Sequence, residues 1–222
     1  MIPPIAVLLI TYRRTEQALR TIAGARRNVQ YPGAFHWHIA DDGSPQQHLD
    51  AIAEALEGQQ VTWSNSKRQG VGRSMNLGME ECLKHSDYIL WLEDDWECQQ
   101  PFDLEPCQRL LHDDERLGMV RLGYISPGIQ GHLIGAAGRL WWELRQGPTY
   151  TFTGHASLRH RRFCDAYGEY QVGLAPGATE LDMCAKVNGK YGPAIVVPAF
   201  TGEWGAFAHI GAESLADVNP DG

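Results

Sequence analysis

The chain has 222 residues, 43% hydrophobic and 21% charged, with 19 basic against 27 acidic residues and a net charge of −8. That length suits one domain with a sizeable core, and an acidic balance argues against a general nucleic-acid binder, which needs cation density to meet phosphates. No apolar run approaches the length that spans a bilayer. The start, Met1-Ile2-Pro3-Pro4 before an apolar stretch, lacks the basic leader and cleavage site of a secretory signal, so a cytoplasmic location is expected. The cysteines, at 82, 98, 107, 164 and 184, form an odd set with no CxxC pair and read as buried or free thiols.

Residues 5–10 are a continuous run of mostly branched apolar side chains, which predicts a strand buried on both faces. Thr11-Tyr12-Arg13-Arg14 follows as a loop. Thr15 is expected to cap a helix running to about Asn28, with Leu19, Ile22 and Ala23 on its inner face. Residues 35–40 read as a second strand ending at the turn signal Asp41-Asp42-Gly43-Ser44-Pro45. A helix over 46–56, a short strand over 61–64, a helix over 74–85 and a buried strand over 87–92 come next. Strand and helix thus alternate through the first 95 residues, which implies a parallel sheet covered by helices. In such sheets ligands bind beyond the carboxyl ends of the strands. Three polar clusters, 11–14, 41–44 and 93–95, fall there and are expected to converge on one crevice.

After residue 100 the pattern loosens. A helix is predicted over 102–114, a strand over 118–124 and a loop or hairpin over 126–138. Residues 138–145 (GRLWWELR) and 149–158 suggest further strands, the latter followed by a turn. A short helix over 180–188 with Thr179 as its cap, a strand over 194–197, and a polar tail from about Thr201 complete the chain.

Three consecutive acids at the end of an apolar strand, Glu93-Asp94-Asp95, are costly unless a cation neutralises them. Carboxylate oxygens are the donors that Mg²⁺ and Mn²⁺ prefer. The alternative is a solvated acidic turn capping the next helix. Likewise, a carboxylate of Asp41-Asp42-Gly43-Ser44 can accept from a nucleobase imide or a ribose hydroxyl, or simply close an Asx turn.

Taken in order, Ile10-Thr11-Tyr12-Arg13-Arg14, Asp41-Asp42-Gly43-Ser44, Gly70-Val71-Gly72-Arg73-Ser74-Met75-Asn76-Leu77-Gly78 and Leu92-Glu93-Asp94-Asp95 resemble the family 2 glycosyltransferases of GT-A fold over residues 5–100. Phe152-Thr153-Gly154-His155-Ala156-Ser157-Leu158, Thr179-Glu180-Leu181-Asp182-Met183-Cys184 and Ala208-His209-Ile210-Gly211 extend the likeness. The resemblance implies an α/β GT-A nucleotide-diphospho-sugar transferase fold, a mostly parallel mixed sheet flanked by helices. Residues 1–100 would bind the nucleotide sugar, and 101–222 would be the acceptor-binding half of the same domain. It implies that Thr11 and Tyr12 sit against the nucleobase and that Asp42 bonds its imide, which suits a UDP- or dTDP-type donor. Arg14 and Arg68 or Arg73 would reach the phosphates or the base, and Asp94 the ribose or sugar. Asp95 would be the main ligand of Mn²⁺ or Mg²⁺, with Glu93, in place of the usual aspartate, and His209 beside it. A lone histidine is otherwise a packed or surface residue.

Glu180 matches the position of the catalytic base. A sugar hydroxyl is a poor nucleophile until its proton is being removed, and a carboxylate opposite the leaving diphosphate gives inversion. Asp182 is the competing carboxylate, also placed on the acceptor side. Glu180 is otherwise a helix N-terminal acid favoured by the macrodipole. Trp141 and Trp142 in the GRLWWELR segment, with the basic knot Arg159-His160-Arg161-Arg162, admit a glycan, a lipid-linked or a modified nucleic-acid acceptor such as a hydroxymethylated base. Core packing of a tryptophan and a solvated helix start are the alternatives. Two other functions compete: a sugar nucleotidyltransferase, which would want a Gly-rich loop after the first strand that Thr11-Tyr12-Arg13-Arg14 lacks, and a catalytically degenerate nucleotide-sugar-binding module.

Overall fold

A computed structural model describes residues 2–123, 130–145, 147, 151–190, 192–199 and 206–211. The first part is β1 (Ile5–Thr11), α1 (Thr15–Asn28), β2 (Val29–Gln30), β3 (Phe35–Asp41), α2 (Gln46–Ala55), β4 (Val61–Asn65), α3 (Val71–His85) and β5 (Tyr88–Glu93). The second part is β6 (Trp96–Cys98), β7 (Phe102–Asp103), α4 (Glu105–Asp113), β8 (Leu117–Arg121), β9 (Gly131–Ala136), β10 (Arg139–Leu144), β11 (Ser157–His160), α5 (Arg161–Tyr167), α6 (Pro176–Gly189), β12 (Ala194–Pro198) and β13 (Phe207–His209).

Among the described residues, nine strands form one sheet in the order β4-β3-β1-β5-β11-β8-β12-β10-β9. The pairs β4-β3, β3-β1, β1-β5 and β8-β12 are parallel. The pairs β5-β11, β11-β8, β12-β10 and β10-β9 are antiparallel. Strand directions therefore agree everywhere except at β11 and β10, and the sheet is mixed as expected, with parallel and antiparallel pairs in equal number rather than mostly parallel. All seven residues of β1 are buried, and their alternation divides the core. Ile5, Val7 and Leu9 join α1 and α4 on one face. Ala6, Leu8 and Ile10 join α3, α5 and α6 on the other. Helix α3 lies so close to the sheet that a Cβ on Gly78 would stand 2.4 Å from Leu8 Cδ1.

Several local expectations need correction. Arg14, not Thr15, precedes the first turn of α1, with no side-chain cap; the Thr15 hydroxyl instead meets His48 Nδ1 at 2.8 Å. Ala18, Ile22 and Ala25 form the buried face of α1, while Ala23 is exposed. The helix predicted over 102–114 starts only at Glu105, because Pro106 suits a first turn; Phe102 and Asp103 pair with β2 instead. Pro176 likewise starts α6 a turn before Thr179, whose hydroxyl donates back to Ala175 O at 3.1 Å. Within 149–158 only Ser157 onward is strand, and Thr149 lies outside the described residues. So do Tyr124, residues 126–129, and the tail at 201–205 and from 212. All five cysteines are buried and free. No helix among the described residues is long and apolar enough to cross a membrane.

Candidate active site

Strand register brings the three polar clusters side by side. Thr11 pairs with Asp41, Ile10 with Glu93, and Asp41 with Asn65, so the ends of β1, β3, β4 and β5 form one rim. Four carboxylates from this rim and one from α6 define the site.

Asp94 is buried. Its Oδ2 accepts from the Thr11 hydroxyl at 3.0 Å and the Tyr12 N–H at 3.2 Å, and its Oδ1 lies 3.3 Å from Arg14 Nε. Thr11 Oγ1 also meets His48 Nε2 at 2.9 Å. The single Thr11 proton goes to Asp94, so His48 donates from Nε2 and accepts Thr15 at Nδ1. That neutral tautomer agrees with burial pushing the His48 pKa down. Burial also pushes the Asp94 carboxyl up to about 7, against the pull of Arg14 and with a further push from Asp95.

Asp95, 5% exposed, faces Arg14 and His209. Its Oδ2 accepts from Arg14 Nη1 at 2.5 Å and stands 3.2 Å from His209 Nε2. Its Oδ1 is buried with no hydrogen-bond partner among the described residues. Strand β13 pairs His209 with Trp96, and Ile210 N–H donates to Asp95 O at 2.8 Å. A residue from the far end of the chain is thereby fixed against the acidic strand end.

On the nucleotide side, Gly70 N–H donates to both Asp42 oxygens at 3.1 Å, and the Ser66 hydroxyl donates to Oδ1. Asp41 rather than Asp42 closes the Asx turn: its Oδ2 accepts from Gly43 N–H and Ser44 N–H at 2.8 Å each. Asp42 is thus held by Ser66 and Gly70, outside the Asx turn. The Tyr12 ring stands between Arg13 and Arg68, whose Cζ atoms are 5.1 and 5.9 Å from its centroid. Arg73 occupies the first turn of α3.

Gly154 joins Glu93 to Glu180. Its N–H donates to Glu180 Oε1 at 3.3 Å, and a Cβ there would stand 2.6 Å from Glu93 Oε1. Glu93 keeps some surface as a residue, but its carboxyl is enclosed. Burial first, then Asp95, Asp94 and Glu180, pushes it up to about 8, with Arg159 pulling the other way. Burial also raises the Glu180 pKa, offset by the Gly154 N–H and by Arg121. Asp182 turns aside to an ion pair with Lys186 at 2.9 Å.

The other acceptor-side candidates scatter. Trp141 is buried in the core with Nε1 donating to Ala136 O at 2.9 Å, so its indole has no face to offer a sugar; core packing is its role. Trp142 is half-buried. The basic knot serves the fold. Arg161 binds Asp87 and Leu83 O, and Arg162 Nη1 binds Leu111 O and Leu117 O at 2.7 and 2.8 Å. Arg159 is buried, with its Cζ 3.6 Å from the Trp91 ring and Nη1 donating to Tyr170 OH at 2.6 Å.

The expected residues missed three participants, Arg121, His48 and Gly154, and took Arg159 for an acceptor-side residue. Arg121 ends the apolar strand β8, a sequence signal of a buried counter-charge. His48 and Gly154 carry no such signal; only their contacts mark them.

Among the described residues, no three His, Cys, Asp or Glu side chains are grouped so as to hold a metal ion by themselves. Asp95 Oδ2 and His209 Nε2, 3.2 Å apart, offer two donors. That fits an ion such as Mg²⁺ or Mn²⁺ whose remaining positions go to substrate phosphates and water. Glu93, enclosed against Gly154, does not group with them.

Residues 6–168 match the model of the family described as "Glycosyl transferase family 2". The chain belongs to that family of glycosyltransferases. Its fold is similar to that of Staphylococcus aureus TarS in complex with UDP, with a TM-score of 0.64 and 14% identity, covering 87% of this chain and 57% of that one. It is similar also to GalNAc-T7 with UDP, GalNAc and Mn²⁺, with a TM-score of 0.64 and 16% identity, covering 89% and 42%. The mannosyltransferase PcManGT from Pyrobaculum calidifontis with GDP-Man and Mn²⁺ gives a TM-score of 0.61 and 13% identity, covering 90% and 57%. The chain thus spans little more than half of the length of these proteins, or less. No curated protein sequence matches it significantly.

Proposed function

We propose that the protein is a metal-dependent inverting glycosyltransferase that moves a sugar from a UDP- or dTDP-type donor to an acceptor hydroxyl. The observation that carries this reading is Asp95: a buried carboxylate just past the end of a parallel strand, whose Oδ2 stands 3.2 Å from His209 Nε2. Residues 1–100 supply the donor side and 101–222 the acceptor side.

Asp95 and His209 would hold Mn²⁺ or Mg²⁺, which when bound neutralises charge gathering on the departing diphosphate. Tyr12 and Asp42 would flank the nucleobase, with Asp42 accepting its imide proton. Thr11 and His48 fix Asp94 for the ribose or sugar. Arg68 and Arg73 stand at the mouth for the phosphates. Glu180 is the base. As the acceptor oxygen bonds to the anomeric carbon, its proton passes to Glu180 and the electron pair of the breaking bond leaves with the diphosphate. Its burial-raised pKa brings the carboxylate closer to neutrality, where a general base works best.

A panel of nucleotide sugars with Mn²⁺, with and without EDTA, tests the reading by donor hydrolysis and thermal shift. Metal-dependent turnover of UDP or dTDP sugars is expected. Best stabilisation by GDP sugars would reject the role of Asp42, and binding without any turnover would favour a degenerate module.

A further inference from the structure

Arg14 is where the site departs from a plain acidic metal cradle. The chain reverses at Arg13, which takes a φ of 60° while Arg14 N–H returns to Tyr12 O at 2.8 Å. A non-glycine residue held in that region marks a place the surrounding structure over-determines. The turn aims the next side chain across both acids: Arg14 Nε lies 3.3 Å from Asp94 Oδ1, and Nη1 lies 2.5 Å from Asp95 Oδ2. Gly211 closes the same spot, since a Cβ there would stand 2.4 Å from Asp95 Oδ2 and 3.0 Å from Arg14 Nη1. The Arg14 side chain is 24% exposed, so its guanidinium is within reach of a molecule entering the crevice.

We propose that Arg14 is the resident counter-cation of the acidic pair, excluding a free divalent ion from Asp95 until a diphosphate draws the guanidinium away. The inference rests on the assignment of Asp95 as a metal ligand. With Oδ1 buried, an incoming cation meets Oδ2, where the guanidinium and His209 already stand. A fixed positive charge a few ångströms from the ion position weakens cation binding by Coulomb repulsion. A diphosphate offers the guanidinium a bidentate anion in place of its two separate contacts with Asp94 and Asp95, and its release uncovers Asp95. Metal and donor then bind with positive coupling, and by linkage each raises the affinity of the other equally.

The test is protein-bound Mn²⁺, measured by equilibrium dialysis at matched free Mn²⁺ concentration, with and without inorganic pyrophosphate, because pyrophosphate itself chelates the ion. Pyrophosphate stands for the donor's diphosphate whatever the base. The wild-type chain is expected to bind Mn²⁺ weakly alone and at least tenfold more tightly with pyrophosphate. Arg14→Met should bind Mn²⁺ alone at least tenfold more tightly than the wild type and lose most of the coupling. Arg14→Lys keeps the charge and should retain weak binding alone, and thermal melting confirms that each variant is folded. Unchanged Mn²⁺ affinity in a folded Arg14→Met would overturn the inference. Asp95→Asn separates the two claims: if it retains wild-type Mn²⁺ binding with pyrophosphate, the metal assignment itself fails. If it loses that binding while Arg14→Met is unaltered, only the role of Arg14 fails.

Discussion

The parallel and mixed halves of the sheet use charge in opposite ways. In the parallel half, β4-β3-β1-β5, the polar residues stand just past the strand ends, where Thr11, Asp42, Asp94 and Asp95 face a common crevice. In the mixed half the cations lie within strands. Arg121 closes β8, Arg159 sits in β11, and both are buried. A strand end presents its side chains to a ligand, so its chemistry can be read from spacing. A strand interior hides its side chains, so a charge there answers other charges of the protein. The two halves meet at Gly154, which touches Glu93 of the first and Glu180 of the second.

The largest expected effect breaks the chemistry at that meeting point. Glu180→Gln should lower kcat roughly 10²–10⁴-fold with little change in donor KM, as for loss of a general base. Asp182→Asn, which removes only a half-exposed ion pair with Lys186, should change kcat by no more than roughly twofold. Steady-state kinetics on both variants decide it, and the reverse ranking would move the base to Asp182.

A smaller effect tests how the halves are fastened. Asn76 of α3 donates to Tyr170 O at 2.9 Å and accepts from Tyr170 N–H at 2.8 Å. Asn76→Ala leaves two buried backbone groups without partners, each costing about 1–3 kcal/mol. Urea unfolding should show a loss of roughly 2–4 kcal/mol. A loss below about 0.5 kcal/mol would mean water replaces the amide.

The smallest effect compares one histidine from each half. Burial lowers His38 in β3 to about 4, and His160, before α5, also to about 4. Both are neutral in the folded chain and charge more readily when it unfolds. Their contribution is therefore whole above about pH 6.5 and is lost as pH falls toward 4. His38 accounts for on the order of 1–3 kcal/mol of that loss. Its ring bonds Thr62 and Ser64, so His38→Gln should flatten the pH profile of urea midpoints between 6.5 and 4. An unchanged slope would place the acid sensitivity elsewhere.

Sequence alone revealed the parallel half well. The apolar runs of β1, β3 and β5 have the period and length of buried strands, and their polar stops mark the rim. It revealed the mixed half poorly for two physical reasons. The arginines of the 159–162 knot read as surface charge, yet Arg162 caps carbonyls and Arg159 stacks on Trp91; only tertiary contacts distinguish these uses. Of the strand anticipated over 149–158, the described residues 151–156 are not strand and only Ser157 and Leu158 are, because β-propensity without a fixed neighbour does not set strand limits. Within the rim, the spacing identified the acids but not His48, which holds Thr11 in its tautomeric chain, nor the bridge made by Gly154.

If Asp95 couples a divalent cation to donor binding, a thermal-shift titration with UDP sugars should show a donor-dependent rise in Tm for the wild type in Mn²⁺, absent in EDTA and absent in Asp95→Asn. Equal rises for the wild type in Mn²⁺, the wild type in EDTA and Asp95→Asn would show that Asp95 holds no such cation.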